Sequence, residues 1–339
     1  MPAEWAPHAA TWLSWPHNLD TWPGCFELVE PAMVEVVRAL AAAEQVHINV
    51  RDADHAQHVE RLLAGHADAR RIRLHRVPTN DAWIRDHGAI FVTAEAADEP
   101  LLAVDYDYNA WGGKYPPYDL DRQVGRRMAE ILDVPRFAPG IVLEGGSIDV
   151  NGAGALLTTE QCLLNPNRNP QLERADIESN LRDALGVEQI IWLGEGIAGD
   201  DTDGHVDDLT RFTSRDTVVT VIEPNRADPN HARLAVNRRQ LDDVVVDGSR
   251  LNVVELPMPE PVYNAGERLP ASYANFYVAN EVVLAPVFAC PQDDAACAIL
   301  ADCFPNRRVI PLDARPLVAG LGALHCLTQQ VPQTRHADT

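Results

Sequence analysis

The sequence predicts an α/β protein made of several similar units around a centre, and three observations carry that expectation. Six amphipathic helical patterns alternate with short runs rich in Val, Ile and Leu. From the second pattern onward the helices recur at roughly 50–65 residues, usually with two or three strands between them. Simple βαβ winding would place about one strand there. No Ser-rich or Pro-rich linker divides the 339 residues, and the prolines are spread through many short turns. A single domain over residues 1–339 is therefore expected, although length alone would allow about two.

The helical patterns fall at about 28–44, 53–65, 119–132, 171–186, 229–244 and 293–304, where apolar residues return every three or four positions. The first strand candidates are VHINV at 46–50, IRLHRV at 72–77, AIFVTA at 89–94 and LLAVDYDY at 101–108. They continue with ALLTT at 155–159, IIWLG at 190–194, VVTVIE at 218–223, LNVVELP at 251–257 and EVVLAPVF at 281–288. The units share no visible sequence identity, so the repeat is one of spacing.

Hydrophobic residues make up 46% of the chain and charged residues 23%, the balance of an ordinary globular protein. Lys and Arg number 28 against 50 Asp and Glu. That excess of acid makes nucleic acid and anionic membrane poor partners and a cationic small molecule a good one. It also serves solubility. No apolar run approaches the roughly 20 residues of a membrane span. The opening MPAEWAPHAATW lacks a basic segment followed by an apolar one, so a cytoplasmic location is expected. The cysteines stand at 25, 162, 290, 297, 303 and 326 with no CxxC pair. Neither disulfides nor a structural zinc site are expected. A homo-oligomer is left open.

Four segments look unlike packing. TNDAWIRDHG at 79–88 carries Asp81, Trp83, Arg85 and Asp86, and alone it also fits a polar turn with one aromatic plug. LEGGSIDVNG at 143–152 sets Glu144 before Gly145 and Gly146, which permit close approach, or equally a cap or hairpin. GDDTDGHVDDLTRF at 199–212 surrounds His205 with five acids, which can raise a histidine pKa. A metal pair or a solvated acidic loop are its alternatives, but no further His or Cys lies at ligand spacing nearby. AGLGALHCLTQQVP at 319–332 presents His325 and Cys326 in a Gly-rich setting. A lone cysteine is more often a buried small hydrophobe. The other five, however, lie in helical or apolar runs.

Together these residue types suit a guanidinium, which is planar, cationic and rich in N–H donors. Carboxylates match its fork bidentately. Attack on its central carbon needs a strong nucleophile, an acid for departing ammonia, and anions that hold the nitrogens. Cys, His and paired Asp supply these.

The segments TNDAWIRDHG, LEGGSIDVNG, LLNPNRNP, GHVDD and LHCLTQQVP resemble those of the agmatine deiminase family, in the guanidino-group-modifying superfamily that also holds arginine and peptidyl-arginine deiminases. The resemblance runs from WAPHAATWLSWPHN through YNAWGGKYPPYD to QQVP, nearly the whole chain. It implies a five-bladed α/β propeller, the pentein fold, with pseudo-fivefold repeats and the site at its centre. It implies Cys326 as nucleophile, His205 as general acid and base, Asp86 and Asp207 as the carboxylates that grip the guanidinium, and Glu144 as a further acid near the histidine. Trp83 and Trp111 are the aromatics expected against the substrate. No cofactor and no metal are implied.

The chain departs from the family pattern at Asp203 and Asp208, at Ala89, and at Gly320-Leu321-Gly322-Ala323. The catalytic groups are intact, so the departures bear on the substrate tail. Agmatine is the expected substrate. A free-arginine or peptidyl-arginine deiminase, an amidinotransferase and a non-catalytic guanidinium binder are the competing readings. A site for free arginine needs a cation for the substrate carboxylate. Arg85, Arg168 and Arg211 are the candidates: Arg85 for pairing with an acid, Arg168 for backbone capping, and Arg211 on the face of Asp207 or away from it.

Overall fold

The computed structural model describes residues 1–94 and 101–334. Five sheets repeat one pattern. In each, a short leading strand pairs antiparallel with a second strand, and the chain then crosses over through a helix to a third strand parallel to the second. Ile90–Thr93, Leu101–Val104 and Arg136–Phe137 form one such unit, with the helix Val124–Leu132 in its crossover. Asp149–Val150, Ala155–Thr159 and Gln189–Leu193 form the next, with Arg174–Leu185. Thr210–Phe212, Thr217–Ile222 and Asn252–Pro257 follow, with Asn230–Gln240. Tyr277–Val278, Val282–Val287 and Arg308–Asp313 complete the series, with Asp293–Cys303.

The remaining sheet joins the two ends of the chain. Gln329–Pro332 pairs antiparallel with His8–Ser14, which continues in parallel to Gln45–Val50 and Ile72–Arg76 through the helices Phe26–Ala41 and Ala53–Leu63. Trp12 lies opposite Gln329 and Ala10 opposite Val331. Leading strands of neighbouring units touch: Gln329–Pro332 lies against Ile90–Thr93, and Asp149–Val150 against Thr210–Phe212. These are the blades of an α/β propeller whose circuit is closed by the chain termini.

All six helical patterns and all nine strand runs are present, with bounds that differ by a few residues. The run 101–108 is continuous strand only to Val104, and beyond it Asp107 forms a single parallel bridge with Val142. Strands at His8–Ser14, Arg136–Phe137 and Arg308–Asp313 and four of the five leading strands escape the pattern, Ile90–Thr93 being the leading strand that it gives. Those four have only two to four residues, too few to show alternation. Arg308–Asp313 contains Pro311, which reads as a strand breaker but is tolerated because this strand is the sheet edge. Local chemistry supports the helices. Asp52 caps Ala53–Leu63 by accepting from the His55 N–H, and Glu173 and Asp176 form a reciprocal box at the start of Arg174–Leu185. Among the described residues no helix is long and apolar enough to cross a membrane.

Val331 in the closing strand is buried with Ala10, Trp12, Ile84, Ala89 and Phe91. Val331→Asp puts an unpaired carboxylate there. It is expected to cost more than about 3 kcal/mol in urea unfolding. A loss below about 1 kcal/mol would show that closure contributes little to stability.

Candidate active site

Each leading strand is preceded, two to five residues upstream, by a polar residue that reaches the centre. Asp86 precedes Ile90–Thr93, Glu144 precedes Asp149–Val150, and Asp207 precedes Thr210–Phe212, with His205 just ahead of it. Asn275 precedes Tyr277–Val278, and Cys326 precedes Gln329–Pro332. Residues remote in sequence therefore meet because the same position of every unit faces the same axis.

The Cys326 sulfur is buried, 3.8 Å from Asp207 Oδ2, and accepts a hydrogen bond from Asn275 Nδ2 at 3.2 Å. His205 lies between two carboxylates, its Nδ1 3.7 Å from Asp86 Oδ1 and its Nε2 3.9 Å from Glu144 Oε2. Asp86 Oδ1 accepts from the Gly146 N–H at 3.0 Å, and its Oδ2 accepts from the Trp111 indole at 2.9 Å. Asp207 Oδ2 is 2.7 Å from His325 Nδ1, whose other ring nitrogen is 2.8 Å from Glu4 Oε2. Glu144 Oε1 accepts from Arg168 Nε at 2.7 Å. Asp207 Oδ1, Glu144 Oε2 and both ring nitrogens of His205 are buried without hydrogen-bond partners.

Burial disfavours charge throughout this cluster, and neighbours decide each outcome. Burial, then Asp207, Asp208 and Asp86, hold the Cys326 thiol well above its ordinary range. Burial opposes charge on His205 too, but Asp86, the Cys162 thiol and Asp207 outweigh it, so His205 keeps its proton well above the usual histidine range. Asp86 is raised by burial, Asp207 and Glu144 against the pull of His205. Burial works against the Asp207 charge, yet the hydrogen bond and charge of His325 bring its carboxyl below the usual value. The resting centre thus holds a protonated thiol, an imidazolium and at least one ionised carboxylate.

A cavity of about 1060 Å³ opens onto this cluster. Trp83, Asp86, Trp111 and Cys326 line it, while His205, Glu144 and Asp207 stand behind them. Trp111 reaches it through a strained backbone. Ala110 and Trp111 have φ of 53° and 54°, and Gly112 and Gly113 continue left-handed at 92° and 80°. Such conformations cost roughly 1–2 kcal/mol at each non-glycine residue. Here they aim the indole N–H at Asp86.

All the residues expected at the site meet there. The three candidate carboxylate clamps do not serve as such. Arg85 pairs with Glu4 at 3.2 Å rather than with adjacent Asp86. Arg211 pairs with Asp149 at 2.7 Å and Glu4 at 3.0 Å. Arg168, expected to cap backbone, pairs mainly with Glu144 and Asp203, since a buried guanidinium requires anions. The acids around His205 are not a solvated loop. Asp200 accepts from the Gly204 N–H, Asp203 holds Arg168 and Lys114, and Asp207 and Asp208 are buried. Cys162, read as an ordinary helix cysteine, lies with His205 and Glu144 so that their donor atoms fall within 4.8 Å of one another. Sequence reasoning missed Glu4 and Asn275. Glu4 lies in an N-terminal stretch without any motif, and Asn275 carries no signal of its own.

The profile of the Porphyromonas-type peptidyl-arginine deiminase family matches residues 1–332. The chain belongs to that family. It is 39% identical to the agmatine deiminase of Pseudomonas fluorescens (strain SBW25), over 98% of this chain and 95% of the relative. Its fold is similar to that of the Enterococcus faecalis agmatine deiminase, with a TM-score of 0.91 at 31% identity, covering 98% of this chain and 95% of that one. A cysteine-to-serine variant of the C. jejuni agmatine deiminase with substrate bound superposes with a TM-score of 0.89 at 32% identity, covering 98% and 96% of the two chains. The family resemblance read from the motifs therefore extends through the fold.

Gly146 is where three polar side chains of the site converge most closely on the backbone. A Cβ there would lie 2.6 Å from His205 Nδ1, 2.8 Å from Asp86 Oδ1 and 3.1 Å from Asp207 Oδ2. Gly146→Ala must push these groups apart. It is expected to lower kcat/KM by about 10²-fold or more with the fold retained by circular dichroism. Near-normal kinetics would mean that these three side chains need not hold their spacing.

Proposed function

We propose that the protein hydrolyses agmatine to N-carbamoylputrescine and ammonia through a thiouronium intermediate on Cys326. The observation that carries this reading is a buried acceptor beside a thiol: Asp207 Oδ1 has no donor. Arg85, Arg168 and Arg211 are already paired. An entering guanidinium supplies the missing donor in a plane.

In the proposed cycle the guanidinium is gripped by Asp86 and Asp207. Its positive charge offsets the carboxylates that hold the thiol up, so the thiol releases its proton to solvent as substrate arrives. The Cys326 sulfur attacks the central carbon. His205, already protonated, gives its proton to one amino group, the C–N bond breaks and ammonia leaves. His205 then takes a proton from water. The hydroxide oxygen bonds to the same carbon, the C–S bond breaks as the added hydroxyl gives its proton to the departing sulfur, and the resting thiol returns with release of the ureido product. Acid–base catalysis of this kind contributes about 10²–10⁴-fold.

The cavity supports agmatine as the tail. Asp20, Asp81, Asp86, Asp121, Asp201 and Glu267 line it against Arg51 and Lys114, and Lys114 is tied to Asp201 and Asp203. A second positive charge fits this wall better than a carboxylate.

Cys326→Ala is expected to abolish turnover while agmatine still binds, and single-turnover trapping of the unmodified enzyme should place the adduct on Cys326 alone. Normal activity in the variant rules out the nucleophile.

On a panel of agmatine, free arginine, a methylated arginine and an arginine peptide, agmatine should exceed free arginine by at least about 10²-fold in kcat/KM, roughly 2.7 kcal/mol. Comparable rates, or a preference for arginine, would leave only the reaction class standing.

A further inference from the structure

Four of the five leading strands are preceded by a residue of the reacting group, and the fifth is preceded by Asn275. Its amide is fully buried and every hydrogen-bonding arm is assigned. Oδ1 accepts from the His325 backbone N–H at 2.9 Å. Nδ2 donates to Asp208 Oδ1 at 3.0 Å and to Cys326 Sγ at 3.2 Å. The His325 N–H can only donate, so the amide oxygen must face it and the NH₂ group must face the sulfur. Ser272 ties the two segments together, its hydroxyl donating to the Asp208 carbonyl and accepting from the Ala274 N–H.

We propose that Asn275 is a catalytic donor that stabilises the Cys326 thiolate, and that Asp208 is the positioning residue that fixes its amide. The proposal rests on the deiminase reading of the site. Besides the Ala323 backbone N–H, the sulfur is otherwise faced by acids. Asp86 comes from the helical turn Ile84–His87, and Asp207 and Asp208 from Val206–Asp208, while His205 lies beyond Asp86 and His325 is its neighbour in the chain. A carboxylate beside a thiolate repels it, whereas an amide N–H stabilises it. Asn275 is the one side chain hydrogen-bonded to the sulfur as donor among the described residues. Asp208 anchors the amide through Nδ2 at 3.0 Å, although it is also one of the acids that hold the thiol up.

The test is the pH dependence of Cys326 alkylation by iodoacetamide in substrate-free enzyme, followed by mass spectrometry of the Cys326 peptide, beside kcat/KM for agmatine. Asn275→Asp keeps the size and the acceptor for His325 but loses the donor. It and Asn275→Ala should move the alkylation profile up by about one pH unit or more and lower kcat/KM roughly ten- to a hundredfold. Asp208→Asn still offers an oxygen to the amide and should keep both readouts within about threefold. Asp208→Ala frees the amide, and its profile should lie above that of Asp208→Asn, which lacks the same charge but keeps the anchor. A profile unchanged in Asn275→Asp and Asn275→Ala overturns the proposal, and coincident profiles in Asp208→Ala and Asp208→Asn overturn the role of Asp208. Alkylation needs no substrate, so failure to turn over agmatine with a shifted profile would count against the function and not against Asn275.

Discussion

The carboxylate of Glu4 is the interaction on which the centre depends. Its Oε2 meets Arg85 and His325, and its Oε1 meets Arg211 and the Val278 N–H at 2.8 Å. These partners come from three different units and from the segment that closes the circuit, so one N-terminal residue ties most of the propeller together. Burial opposes its charge, but Arg211, His325 and Arg85 hold its carboxyl well below the usual range. A buried ion of this kind is stable only when its neighbours satisfy it, and removing one partner leaves the others uncompensated. The same network reaches the chemistry. His325 spans Glu4 and Asp207, with a ring nitrogen near each, and thereby keeps Asp207 ionised beside the nucleophile.

On the cavity side of this network the charges no longer balance. Arg85, Arg168 and Arg211 are consumed by Glu4, Glu144, Asp203 and Asp149. Asp86, Glu144 and Asp207 share only the His205 and His325 rings and Arg168. That asymmetry divides the centre into a structural half whose charges are paired and a reactive half that waits for a cation. The acidic surface noted in the composition is a weak, long-range version of the same preference, and the cavity wall concentrates it.

The helices and long strands were legible because each carries enough residues to show a period. Of the leading strands Ile90–Thr93 was legible and the other four were not, because strands such as Asp149–Val150 and Tyr277–Val278 are two residues long and owe their pairing to neighbours rather than to pattern. Cys326, His205, Asp86, Asp207 and Glu144 were legible through the motifs that surround them. Arg85 was legible as pairing with an acid, but the choice between Asp86 and Glu4 depends on which strand ends share the axis. Glu4 and Asn275 could be found only after the fold brought them to the centre. Gly145 and Gly146 were legible as permitting unusual backbone angles or close approach, and at Gly146 it is close approach, where His205, Asp86 and Asp207 converge.

The acids that make the site attractive to a cation also suppress its nucleophile. Burial, Asp207, Asp208 and Asp86 all favour the neutral thiol in the empty enzyme. A site with these carboxylates removed would have a more reactive resting cysteine but nothing to hold the guanidinium. A site with a standing cation beside the sulfur would have a permanent thiolate and no vacancy for substrate. The arrangement observed separates the two requirements in time: the charge that lowers the barrier to thiolate formation arrives with the molecule to be attacked. Reactivity and recognition then have the same electrostatic origin, so a neutral ligand that fits the cavity by shape gains neither the grip of the carboxylates nor an activated sulfur.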